Sequence, residues 1–193
     1  SANGLKKLAD AVNNGTDYYA GKTVKLTTDI DLNNVEWTPI GSATADHGFM
    51  GNFDGNGFVI KNLQMTALTA DGYVYAGLFG VTEGTDAQNQ NSIKNLVIEN
   101  VNIQTEGNIA AAAIAYPYYT AIENVTVKGN VIIKGGHYTA GVLAYTRRCV
   151  DAENIVIAAN EGSYIEGDQT VGGVISDIQM NGGLTAVYSN FSA

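Results

Sequence analysis

The chain has 193 residues, and its 19 acidic against 10 basic side chains give a formal charge of −9, which disfavours nucleic-acid backbones and anionic membranes as partners. With 23 Gly, 2 Pro and only 15% charged residues, the composition suits an all-β domain with many tight turns and little exposed helix. The one cysteine, Cys149, excludes an internal disulfide and any paired-cysteine metal site, and no apolar run reaches the ~18 residues of a membrane-spanning helix.

Residues 1–15 open with Leu5, Leu8, Ala9 and Val12 at helical spacing. This predicts a short amphipathic helix, N-capped by Asn3 and stopped by Asn14-Gly15, that shields the first layer of whatever follows. Residues 16–58 carry opening strands and turns. Thr23 to Leu26 alternates, and Asp29-Ile30-Asp31-Leu32 alternates again, so both carboxylates share the outer face. Asp54-Gly55 and Asn56-Gly57 are turn signals; the other ligands of a calcium loop are missing around them, and the acidic excess reads as a solubility feature.

From residue 59 to 193 the chain repeats itself about every thirty residues. Ile60-Lys61-Asn62-Leu63, Ile93-Lys94-Asn95-Leu96, Ile122-Glu123-Asn124-Val125 and Glu153-Asn154-Ile155 are copies of one strand, with a faint last copy at Ser189-Asn190-Phe191. Each is followed by an apolar run: Ala76 to Gly80, Ala111 to Tyr116, Ala140 to Tyr145 and Gly172 to Ser176. Straight strands alternate faces, so Ile93, Leu96 and Ile98 all point inward only if the chain bends at Asn95. Asn tolerates the left-handed backbone a corner needs, so Asn62, Asn95, Asn124 and Asn154 are expected to stack as one ladder. Second inward strands run through Val101 and Ile103 and through Val131 and Ile133. Three strands per coil predict one β-helix domain over 1–193, a right-handed parallel solenoid of about five to six coils. Adjacent apolar rows, Leu78, Ala113, Val142 and Val174 beside Phe79, Ile114, Leu143 and Ile175, imply that one row lies outside the core or under a loop. The first residues read like the start of an excised domain, and the C-terminal coil is expected to continue into, or dock on, another domain.

Leu5 to Val12, Asp29 to Leu32, Trp37-Thr38-Pro39-Ile40-Gly41, Phe53-Asp54-Gly55-Asn56-Gly57, Ile60 to Leu63 and Gly77-Leu78-Phe79-Gly80 together resemble the GLUG-repeat family, named for its Gly-Leu-hydrophobic-Gly core. That family occurs in bacterial surface proteins, adhesin-like proteins and IgA-specific peptidases. The resemblance implies an extracellular β-helical module with no catalytic residues of its own, acting as an adhesive or binding segment or as a rigid stalk. Later copies depart from it: Ala112 replaces the first Gly, and Ala115, Ala144 and Ser176 replace the last.

The chemistry-bearing residues point the same way. His47 and His137 have no carboxylate, Cys or second His at ligand or triad spacing, and His137 reads as a surface residue. No nucleophile elbow and no phosphate-cradling loop is present, so neither metal nor cofactor is expected. A β-helix polysaccharide lyase or glycoside hydrolase is the enzymatic alternative, and it requires converging carboxylates. The outward corner column Lys61, Lys94, Glu123 and Glu153 is a poor candidate for that. Tyr116, Tyr118, Tyr119, Tyr138 and Tyr145, with Arg147 and Arg148 beside them, form the better candidate: a platform for a surface glycan or protein, with an aromatic stack that simply covers turns as the alternative reading. Tyr116 to Tyr119 and Arg147-Arg148 are read as turns.

Overall fold

The computed structural model describes residues 1–41, 47–67, 75–105, 109–149, 151–180 and 187–191, with backbone alone for 149, 179–180 and 187–191, so the side chain of Cys149 lies outside the described atoms. Helix α1 (Ala2–Asn13) is followed by strands β1 (Thr23–Lys25) and β2 (Ile30–Asp31) of a first coil. The second coil holds β3 (Asn52–Asp54), β4 (Val59–Met65), β5 (Tyr75–Ala76) and β6 (Phe79–Glu83), and the third β7 (Asn91–Gln104), β8 (Ile109–Ala111) and β9 (Ile114–Tyr118). The fourth has β10 (Thr120–Lys134), β11 (Tyr138–Ala140) and β12 (Leu143–Cys149). The fifth has β13 (Ala152–Ala159), β14 (Tyr164–Glu166), β15 (Thr170–Gly172) and β16 (Ile175–Met180), and β17 (Val187–Phe191) lies on β13. Among the described residues every pairing is parallel and joins one coil to the next, in one nine-stranded and two four-stranded sheets, which makes the fold a β-solenoid of about five turns. Among the described residues no helix is long and apolar enough to cross a membrane.

The long strand β7 is three short runs separated by Asn95 (φ 51°) and Asn100 (φ 60°), both left-handed. These two bends let Ile93, Leu96, Ile98, Val101 and Ile103 all face inward, each at most 3% exposed. Asparagine therefore forms two ladders. In one, the Asn154 amide donates to Asn124 Oδ1 at 2.8 Å, Asn124 to Asn95 at 3.2 Å and Asn95 to Asp54 at 2.9 Å. Asn62 stands in the other, because β4 aligns its Lys61 with Glu99 and its Leu63 with Val101, which places Asn62 beside Asn100. There Asn100 donates to Asn62 Oδ1 at 3.3 Å and Asn62 to Asp31 at 2.8 Å. In the fourth coil an inserted Gly129 (φ 80°) takes the left-handed position, while the Asn130 backbone N–H donates to Asn100 Oδ1 and its side-chain oxygen accepts from Asn160. Each ladder thus ends on a carboxylate. Hydrogen bonds from Asn62 and Asn95 respectively are the first cause that lowers the pKa of Asp31 and of Asp54.

The same register corrects the outward charge column. Lys61 faces Glu99, not Lys94, and the vertical order Asp31, Lys61, Glu99, Lys128 alternates in sign, with Lys128 3.0 Å from Glu99. Beside it run Lys25, Asp54, Lys94 and Glu123, again alternating, until Glu153 breaks the rule by facing Glu123.

Both apolar rows of the Gly-Leu motif are buried in the second to fourth coils, contrary to the expectation that one lies outside the core or under a loop; in the fifth, Val174 is buried and Ile175 half-buried. Leu78 and Phe79, Ala113 and Ile114, and Val142 and Leu143 are all 0% exposed in a core that runs from Leu5 to Val174. The chain bends at residues 77–78, 112–113, 141–142 and 173–174, between the two four-stranded sheets, so neighbouring side chains enter the interior from two walls. Close coil approach explains the glycine: a Cβ on Gly141 would lie 2.2 Å from the Gly173 carbonyl oxygen.

Helix α1 lays Leu5, Leu8, Ala9 and Val12 on the first coil's Leu26, Ile30, Leu32 and Trp37, covering the end of the core. Its cap is Ser1, whose hydroxyl accepts from Gly4 N, two residues earlier than the expected Asn3. Asn13 fixes the other end, donating to Pro39 O and accepting from Gly41 N. The Asn56-Gly57 turn (φ 54° and 79°) closes with Phe58 N donating to Gly55 O; it makes a coil corner between consecutive strands rather than a hairpin.

Candidate ligand-binding face

A second apolar cluster, separate from the main core, forms a floor of Ile109, Ala111, Ala115, Ala140 and Ala144, at most 2% exposed. Tyr75, Tyr138 and Tyr145 pack on this floor. The last residue of the motif stays small along the coils, Gly80 being answered by Ala115, Ala144 and Ser176: a Cβ on Gly80 would lie 2.5 Å from the Gly41 carbonyl oxygen, and Ala115 and Ala144 belong to this floor.

Three rings, one from each of the second, third and fourth coils, stack in a row; Tyr116 and Tyr145 hold equivalent strand positions, and Tyr75 reaches in from the position of Ile109 on the neighbouring sheet. Tyr75 stacks on Tyr116 with centroids 5.3 Å apart and planes 14° apart, and Tyr116 stacks on Tyr145 at 5.5 Å and 27°. Tyr138 closes on Tyr145 at 4.3 Å, and Tyr118 meets Tyr119 edge-to-face at 4.7 Å. All six rings are half-buried. Residues 114–118 and Arg147 are strand, not turn; only Tyr119 (φ 46°) and Arg148 (φ 47°) occupy the corners. Arg147 lies across the Tyr145 ring, its guanidinium carbon 3.4 Å from the centroid, and its Nη1 donates to Asp177 Oδ2 at 3.2 Å. Arg148 is exposed and belongs to the corner rather than to the row.

Burial raises the pKa of the Tyr116 phenol, with the neighbouring Tyr75 adding to the effect, so that hydroxyl stays protonated at neutral pH. Glu83, in register with Tyr118, accepts from Gly48 N at 3.1 Å and lies 3.3 Å from His47 Nδ1. His47 and Glu83 are 36 positions apart, a separation no spacing rule reveals. His137 is half-buried rather than on the surface. Glu83 and Asp177 are carboxylates flanking the row; they sit on the second and fifth coils, three coil rises or roughly 14 Å apart. Glycoside hydrolases place their pair within about 5–9.5 Å. Among the described residues no group of three or more His, Cys, Asp or Glu is placed to hold a metal ion.

No family model, no curated protein and no solved structure matches the chain.

Sequence reading marked Tyr116, Tyr118, Tyr119, Tyr138, Tyr145 and Arg147, which the fold brings to one face. It missed Tyr75, Asp177 and the alanine floor. The signal for Tyr75 was present, since it precedes Ala76-Gly77 much as Tyr138 precedes Ala140-Gly141. A second cleft of about 350 Å³ lies between α1 and residues 32–38 and includes Lys6, Asp10, Glu36 and Trp37 in its wall. The Glu36 carboxylate there is already engaged by Thr66, Gln64 and the Ala67 N–H.

Proposed function

We propose that this chain is a non-catalytic, extracellular binding or adhesion module of a bacterial cell-surface protein, holding a surface glycan against its tyrosine row. One observation carries this reading: rings from three successive coils form a continuous half-exposed array on a rigid scaffold, and Arg147 is fixed in place by both Tyr145 and Asp177. Tyrosine supplies large contact area at low entropic cost and keeps a polar tip for hydrogen bonding. The wide separation of Glu83 and Asp177 supports binding over hydrolysis. The bacterial, extracellular setting rests on the resemblance to GLUG-repeat surface proteins.

The test is a glycan array read with the intact chain and with the Tyr118→Ala/Tyr119→Ala double variant. Binding that the double variant loses, with an unchanged melting temperature, supports the reading. Equal signal from both proteins, or no signal from either, removes it.

A further inference from the structure

The geometry points to one ligand class: we propose that the row formed by Tyr75, Tyr116 and Tyr145 takes a neutral, extended, equatorially β-linked glycan running parallel to the solenoid axis, one sugar per coil. This deepens the reading above and rests on it.

Period is the first argument. The ring centroids repeat at 5.3 and 5.5 Å, close to the coil rise of ~4.8 Å. One pyranose unit of a straight β-linked chain is about as long as that rise, so successive sugars meet Tyr75, Tyr116 and Tyr145 in turn, the last two at equivalent strand positions and Tyr75 reaching the row from the position of Ile109. An extended peptide presents same-face side chains every ~6.7 Å and falls out of step after one or two coils. A helical α-linked glucan curves away from a straight row.

Charge is the second. Arg147 is matched by Asp177, and Glu83 stands at the opposite end of the row, while the whole chain carries −9. The row therefore offers no surplus positive charge to a uronate or sulfated chain. The rings also decide which of their atoms a ligand can reach. Because they stack on one another at 14° and 27°, their faces are largely spent on each other. What remains for a ligand is edges and hydroxyls, which both donate to and accept from sugar hydroxyls.

The test titrates the intact chain by calorimetry with β-1,4-linked gluco-oligosaccharides of two to six units, the α-1,4-linked series of the same lengths, and oligogalacturonates. Affinity for the β-linked series should rise at least about tenfold from dimer to tetramer, as more coils are engaged. Tyr116→Phe, which keeps the stack and removes the central hydroxyl, should weaken the tetramer about fivefold, the loss of one ~1 kcal/mol hydrogen bond. Its melting temperature should match that of the parent chain. Equal or tighter binding of the α-linked or galacturonate series, or a Tyr116→Phe effect below twofold, overturns the proposal. If the array above finds glycans that depend on Tyr118 and Tyr119 yet show no linkage preference, the binding reading stands and the axial alignment falls. If no glycan binds, both fall.

Discussion

Asn124 is the middle rung of the first ladder, and replacing it separates two forces that act at one atom group. Its side chain donates to Asn95 Oδ1 at 3.2 Å and accepts from the Asn154 amide at 2.8 Å, and its backbone is left-handed at φ 54°. Each such bond contributes about 0.5–1.5 kcal/mol, nearer the lower end for a partly exposed pair, so the two rungs account for about 1 kcal/mol. In Asn124→Ala that loss is joined by a Cβ with no local polar compensation in left-handed backbone, costing about 1–2 kcal/mol more. Asn124→Gly loses the same rungs but accepts the corner freely; its added cost is the looser unfolded chain, about 0.5–1 kcal/mol. The alanine variant is thus expected to lie below the glycine variant by about 1 kcal/mol. For a chain of this size that is a melting difference of about 2–4 °C, readable by circular dichroism or calorimetry. An alanine variant that melts at or above the glycine variant would refute the left-handed corner, and with it the reason asparagine stands there.

The carboxylate ends of both ladders make stability acid-sensitive. The folded pKa of Asp54 and of Asp31 is lowered, so their contribution is complete above the unfolded value of ~3.9 and is lost as pH falls through the folded value. Asp54→Asn should flatten the urea-midpoint profile below about pH 4, and an unchanged acid limb speaks against the Asp54–Asn95 bond. Glu153→Lys places opposite charge across from Glu123 and should raise stability by about 0.2–1 kcal/mol at low salt, a gain that added salt diminishes; destabilisation counts against the register. Ala144→Leu overfills the floor beneath the tyrosines. It should cost about 1–3 kcal/mol and weaken any ligand that Tyr145 contacts, whereas a neutral outcome means the rings do not rest there.

The solenoid was legible because one strand cue recurs with the same flanks, and inward residues around Asn95 cannot share a face without a bend. The column assignment of Asn62 was not legible. The same Ile-Lys-Asn-Leu text serves the first corner at Asn95 and the second at Asn62; only backbone pairing to Glu99 and Val101 separates them. The doubly buried Gly-Leu motif hid for a related reason. Two-residue alternation assumes a straight strand, and the bends at 112–113 and 141–142 suspend it. The tyrosine face was half legible: coil-equivalent positions aligned Tyr116 with Tyr145, but Tyr75 and Tyr138 stand on the neighbouring four-stranded sheet and join them only once the two sheets meet. Asp177, thirty residues from Arg147, becomes its partner only once coils stack.

The asparagine ladders also give the molecule a grain. In the rungs from Asn154 to Asp54, and from Asn100 to Asp31, each side-chain nitrogen reaches toward the preceding coil. A chain emerging N-terminus first therefore finds each acceptor already seated when the next donor arrives. Winding in that order leaves no rung waiting for a partner not yet synthesised.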